Sequence, residues 1–204
     1  MLYSRRKRIS EVYMKRFDFK DGIDFDQFFY CYSPQAKCCG VFEREDDCIK
    51  NSYNAAVGDY EYTTLMLREK LGVGARIVTE CDFEKRGAPL IVISDVIFEK
   101  GGNPYYGEHF EAVAFEEGCN VWHNKLATDP NAPRPLVVEK IHFEDIPTAN
   151  KSRVKLAVEF GDGAMTVEMN GRRFTVKDDA MPREFWFGIT ACEGINRFYN
   201  LTVE

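Results

Sequence analysis

The chain has 204 residues, of which 45% are hydrophobic and 29% charged, with a formal net charge of −6. These proportions fit one globular domain with a sizeable core, and 16 Phe and 10 Tyr supply large faces for packing between sheets. The acidic balance argues against nucleic acid as a partner, and no apolar run is long enough to cross a membrane as a helix.

At the N-terminus the basic run Arg5-Arg6-Lys7-Arg8 is followed at once by Ile9, Ser10 and Glu11, so the apolar core of a signal peptide does not follow it. Residues 1–14 are expected to be a disordered or extended arm, and residues 15–204 one domain. The odd set of seven cysteines (Cys31, Cys38, Cys39, Cys48, Cys81, Cys119 and Cys192) then reads as reduced thiols in the cytoplasm. The cluster between Cys31 and Cys48 lacks the C-x2-C repeats of a zinc site, and no dense acidic loop suggests calcium. No metal or other cofactor is expected.

The first element, Lys15 to Phe19, is short and amphipathic, and pairing of the termini places it beside Arg197 to Val203. Tyr60 to Leu71 reads as a strand in which Tyr62, Thr64 and Met66 alternate, the alternative being a short helix ending at Gly72. Ala75 to Glu84 is a strand with Ile77, Thr79, Cys81 and Phe83 on one face and Arg76, Val78, Glu80 and Asp82 on the other. Pro89 to Ser94 is a continuous apolar run, as in a strand buried on both sides. Gly101 to Gly107 is read as a loop from its glycines and proline.

Glu108 to Glu116 sets His109, Glu111, Val113 and Phe115 against Phe110, Ala112 and Ala114, and Cys119 to Asn124 returns as the second arm of a hairpin. Thr128 to Pro135, with three prolines, is an exposed connection. Arg153 to Phe160, Met165 to Met169 and Arg172 to Val176 form a meander turning at Gly161-Asp162-Gly163 and Asn170-Gly171. Glu184 to Cys192 and Arg197 to Val203 follow as two further strands.

This closing order, with Phe185-Trp186-Phe187-Gly188-Ile189 and then Phe198-Tyr199-Asn200-Leu201-Thr202-Val203, resembles the final meander of concanavalin A-like lectin/glucanase domains over roughly residues 75 to 204. The resemblance implies an all-β, jelly-roll β-sandwich of two antiparallel sheets. It does not imply one activity, because that superfamily holds lectins, glycoside hydrolases, polysaccharide lyases and modules without catalysis. The Glu-x-Asp-x-x-Glu strand of its laminarinase-like members is not matched by Glu108-His109-Phe110-Glu111 or by Ala114-Phe115-Glu116-Glu117. The Arg-x-Glu-x-Arg, Gln-x-His and Tyr-x-Lys-x-Gly strands of its alginate lyases are missing too.

Strand parity selects the candidate site. His109 and Glu111 share a face, and Trp122 and His123 lie on the hairpin partner, so an imidazole, a carboxyl and an indole can converge. Alternation lets at most one of Trp122 and His123 face the same way as His109 unless a bulge intervenes. His109, Glu111 and His123 are the candidate acid/base residues; a packed Trp with two hydrogen-bonded histidines is the alternative. Glu80 and Asp82 on one strand face, Tyr105 and Tyr106 in the loop, and the indoles of Trp122 and Trp186 are the candidate ligand contacts. Glu80 and Asp82 equally suit the solvated face of a strand, and Trp186 suits sheet packing. Glu193, Asn196 and Arg197 lie at the last turn.

The expected function is therefore carbohydrate recognition on a β-sandwich, with a saccharide as partner. The alternatives are a glycoside hydrolase or polysaccharide lyase acting in a groove on one sheet face, and a protein-interaction domain without a saccharide ligand.

Overall fold

The computed structural model describes residues 14–35, 38–53, 61–128 and 136–204. The expected N-terminal arm, apart from Met14, and most of the Thr128–Pro135 connection lie outside these residues. Among them the only helical element is a 3-10 turn at Phe19–Asp21. In chain order the strands are β1 (Lys15–Asp18), β2 (Phe28–Cys31), β3 (Cys38–Cys39), β4 (Phe42–Glu45), β5 (Cys48–Asn51), β6 (Glu61–Leu67), β7 (Leu71–Gly72), β8 (Arg76–Glu84), β9 (Ala88–Ser94) and β10 (Ile97–Lys100). They continue as β11 (Asn103–Tyr106), β12 (His109–Phe115), β13 (Gly118–Leu126), β14 (Leu136–Asp145), β15 (Val154–Gly161), β16 (Ala164–Met169), β17 (Arg172–Lys177), β18 (Glu184–Cys192) and β19 (Ile195–Val203).

They make two large sheets. The first runs β17-β16-β15-β8-β19-β5-β4, with β1 also on β19; the second runs β14-β13-β12-β9-β18-β6-β2, with β3 on β6 and β7 on β18. All these pairings are antiparallel except β3 with β6. Each sheet turns one apolar face inward by period-two alternation: Ile77, Cys81 and Phe83 from β8 meet Ile91 and Ile93 from β9 and Phe185, Phe187 and Ile189 from β18 in one core. The other side of β9 is covered as well, because Leu90 and Val92 belong to a second apolar cluster on the outer face of the second sheet.

The terminal pairing expected of Lys15 to Phe19 is present, with Lys15 opposite Val203 and Phe17 opposite Leu201. The segment before Gly72 is a strand, Glu61–Leu67. Asn170 and Gly171, at φ of 50° and 82°, supply the left-handed pair that a two-residue hairpin needs. The expected loop Gly101 to Gly107 is corrected: the turn is confined to Gly101 and Gly102, at φ of 61° and 78°, and Asn103–Tyr106 is a strand on Ile97–Lys100. Pro104 is tolerated there because this ribbon has only two strands, so no inner ladder needs its missing N–H.

Candidate functional site

The outer face of the second sheet holds His109, Glu111 and Trp122. Strand registers place residues from six strands in rows across it. One row reads Phe29, Met66, Gly188, Val92, Glu111 and Trp122. The next reads Cys31, Thr64, Thr190, Leu90, Val113 and Asn120. A third holds Trp186, Ser94, His109 and Asn124. Glu111 and Trp122 are thus direct cross-strand neighbours, the closest arrangement two facing side chains on adjacent strands can have. The register irregularity at Val121/Trp122 lies between β13 and β14 and leaves the pairing of β12 with β13 unbroken.

His109 is fully buried and held at both ends. Its Nδ1 lies 2.8 Å from the Gly107 carbonyl oxygen and its Nε2 3.2 Å from Glu111 Oε1. A carbonyl only accepts, so Nδ1 carries the hydrogen, and a hydrogen bond at the other end needs a proton between Nε2 and the Glu111 carboxyl. The hydrogen bond to His109 fixes the Glu111 side chain on the outer face. The Tyr106 ring meets His109 edge-on at 4.8 Å.

Above this floor is a pocket of about 430 Å3, within the roughly 300–1,000 Å3 of small-molecule sites. Leu90, Val113 and Glu111 form its base, Trp122, Asn120 and Asn124 one wall, and Tyr62 and Gln35 the opposite side. Lys140 Nζ lies 5.0 Å from the Trp122 ring centre, steadying the indole by a cation–π contact. Burial, then the Cys192 thiol and the Glu111 charge, push the Tyr62 phenol far above its ordinary range. It therefore stays a donor, to Gln35 Oε1 at 3.2 Å. Gln35 Nε2 donates in turn to Asn124 Oδ1 at 3.2 Å. Asn120 Oδ1 and Asn124 Nδ2 are buried with no hydrogen-bond partner among the described residues. An unmet buried polar atom costs about 1–3 kcal/mol, which a ligand hydroxyl reaching it would recover.

Known structures share this architecture. A protein of unknown function with galectin-like fold from Bacillus subtilis matches at TM-score 0.65 and 11% identity, covering 93% of this chain and 94% of that one. Carbohydrate binding module CBM66, also from Bacillus subtilis, matches at TM-score 0.59 and 12% identity, over 85% and 99% of the two chains. The fold is the concanavalin A-like jelly roll. Kappa-carrageenase from Pseudoalteromonas carrageenovora, in complex with an oligotetrasaccharide of kappa-carrageenan, matches this jelly roll at TM-score 0.59 and 7% identity over 98% of each chain. No protein-family model and no curated protein matches the sequence.

The jelly roll separates the other sequence candidates. His123 points away from the pocket, as alternation requires of the residue after Trp122. It stacks on Phe110 at 4.0 Å, with Nδ1 2.9 Å from Asp178 and Nε2 2.8 Å from Glu108. It therefore does not join His109 and Glu111, and the expected trio is reduced to those two with Trp122. Glu80 and Asp82 stand on the outer face of the first sheet, where Glu80 accepts from Asn200 and Asp82 from Arg197 and Tyr199; they too are apart from the pocket. Arg197 belongs to that same network. Asn196 clamps the last turn through the Cys192 and Glu193 carbonyls, and Glu193 reaches the pocket rim.

Tyr105 stacks between Tyr32 and Phe98, with ring centres 5.0 and 5.9 Å away. Tyr106 is buried in the second apolar cluster, and Trp186 packs against that cluster with Phe29 at 6.4 Å. These three lie on the outer face but not in the pocket lining. Sequence reading missed Gln35, Tyr62, Asn120 and Asn124. Only for Asn120 and Asn124 was a signal available, since they share the parity of Trp122.

Proposed function

We propose that this jelly roll recognises a saccharide in the pocket on the outer face of its second sheet. The observation that carries the reading is the direct pairing of Glu111 with Trp122 beside two buried amide atoms that await partners. An indole face covers the C–H side of a sugar ring, while a carboxyl and amides meet its hydroxyls, a combination suited to polar rings with apolar faces. That a similarly folded protein is named a carbohydrate binding module, and another holds an oligotetrasaccharide, supports the same reading.

A catalytic role is the second reading, favoured by the hydrogen bond between His109 and Glu111 at the pocket base. Glu111 would be the group that exchanges a proton with the ligand, and His109, reaching the pocket only through Glu111, would be a positioning residue. Glycoside hydrolysis needs a second carboxyl about 5–5.5 Å or 6.5–9.5 Å away, for which the rim offers Glu116 and Glu117.

A glycan array followed by titration tests both. Trp122→Ala is expected to weaken the strongest glycan about tenfold, equivalent to about 1.4 kcal/mol. Glu111→Gln is expected to weaken binding if the protein only binds, or to retain binding and abolish product formation if it also cleaves. No glycan bound by the folded wild-type protein would defeat the proposal.

A further inference from the structure

We infer that the pocket is blind and takes the terminal unit of an uncharged saccharide; this rests on the saccharide reading above and adds how the ligand enters. The β10–β11 hairpin leaves the second sheet between β9 and β12, yet its backbone bonds to the segment after β2 at the far edge. Tyr32 N–H donates to Pro104 O at 2.8 Å, and Tyr106 N–H to Tyr32 O at 3.2 Å. Strands β18 and β6 stand between those two places, so the hairpin is a strap across them. Tyr106 fills the space beneath it, with no exposed surface, packed on Cys31, Met66 and Val92. The part of the face that holds Trp186 and Met66 is thereby roofed.

Gln35 closes the remaining gap on that side. Bonded to Tyr62 on β6 and to Asn124 on β13, it is a strut across the pocket. Among the described residues the opposite end is edged by turns: Arg86-Gly87 after β8, Glu116-Glu117 after β12 and Glu193 after β18. A polymer cannot lie through such a space; it can only insert an end. Beside Glu111, which is paired with His109, the rim carries three glutamates, Glu116, Glu117 and Glu193, against one arginine, Arg86, so a sulfated or uronic ligand meets like charge there, which costs affinity and selects against it.

The test measures wild-type protein by calorimetry with neutral gluco-, galacto-, manno- and fructo-oligosaccharides of two to six units, each also capped at either end and in a 6-sulfated form. The expected result is affinity that levels off by three units, falls at least about tenfold when one of the two ends is capped, and falls similarly on sulfation. Affinity climbing through six units and indifferent to both caps means an open cleft and overturns the blind pocket alone. Sulfated ligands bound as well as neutral ones overturn the charge selection alone. Binding of none of these oligosaccharides, nor of any array glycan, removes the saccharide reading and this inference with it.

Discussion

Replacing Arg197 by methionine is expected to destabilise the protein by about 3 kcal/mol at pH 7, the lower end of the cost of breaking a buried ion pair. The guanidinium, 15% exposed, donates to Glu45 at 2.9 Å, Asp82 at 3.1 Å and Glu84 at 2.8 Å. The three carboxylates lose unequally. Glu45 retains Lys50 and Glu84 retains Lys151, whereas Asp82, 8% exposed, is left with the neutral Tyr199 hydroxyl. For a domain of this size, 3 kcal/mol corresponds to a melting point lower by roughly 6–12 °C. Adding Asp82→Asn to the variant should recover more than half of the loss, because removing both members of a buried pair is close to neutral. The pH dependence has a definite sign. Lys50 and then Arg197 hold the Glu45 carboxyl below its ordinary value, and Arg197 above all does so for Glu84. Carboxyls depressed in the folded state stabilise it above their unfolded value, about 4.3, and that stabilisation fades as pH falls through the folded values. Wild-type stability should therefore decline below about pH 4.5, and the Arg197→Met variant should decline less steeply. Denaturant titrations at pH 7 and 3.5 decide it. A cost under about 1 kcal/mol at pH 7, or an unchanged decline with acid, would refute the reasoning.

Three further outcomes are expected. Phe187→Ala, at a position with no exposed surface in the main core, should cost about 3–5 kcal/mol in denaturant titration. Gly87→Ala should cost about 1–3 kcal/mol, since a Cβ there lies 2.3 Å from the Ile195 carbonyl oxygen. The same variant should weaken glycan binding by moving the pocket rim, readable by calorimetry. Cys31 and Cys119, whose thiols burial pushes up to about 12, should resist iodoacetamide at pH 8 in the folded protein and react on unfolding, as peptide mass mapping would show.

Alternation made most of the large strands readable: β15 and β16 bury one face and their sequences mark it, and in β8, β12 and β13, although most residues on both faces are buried, chain parity still separates the core-facing residues from the others. It failed for β14, where edge position leaves Val137, Val138 and Phe143 exposed and no period-two pattern survives. It failed for β11 because Gly101, Gly102, Asn103 and Pro104 are all turn formers, although only the two glycines turn. In the site, parity joined His109 and Glu111 and admitted only one of Trp122 and His123 beside them, the strand register deciding for Trp122; it could not say which sheet a strand enters, hence Glu80 and Asp82 were grouped with residues on the opposite sheet. Gln35 carries no local signal at all, since its role depends on Tyr62 and Asn124, distant in the chain.

The positions of the last two strands also bear on how the molecule is made. β18 lies between β9 and β6 in one sheet and β19 between β8 and β5 in the other, so each layer lacks an inner member until residues 184–203 arrive. On a ribosome, the preceding 183 residues must wait with open edges, a state prone to aggregation. Trimming the chain before Glu184 should then leave no foldable remnant.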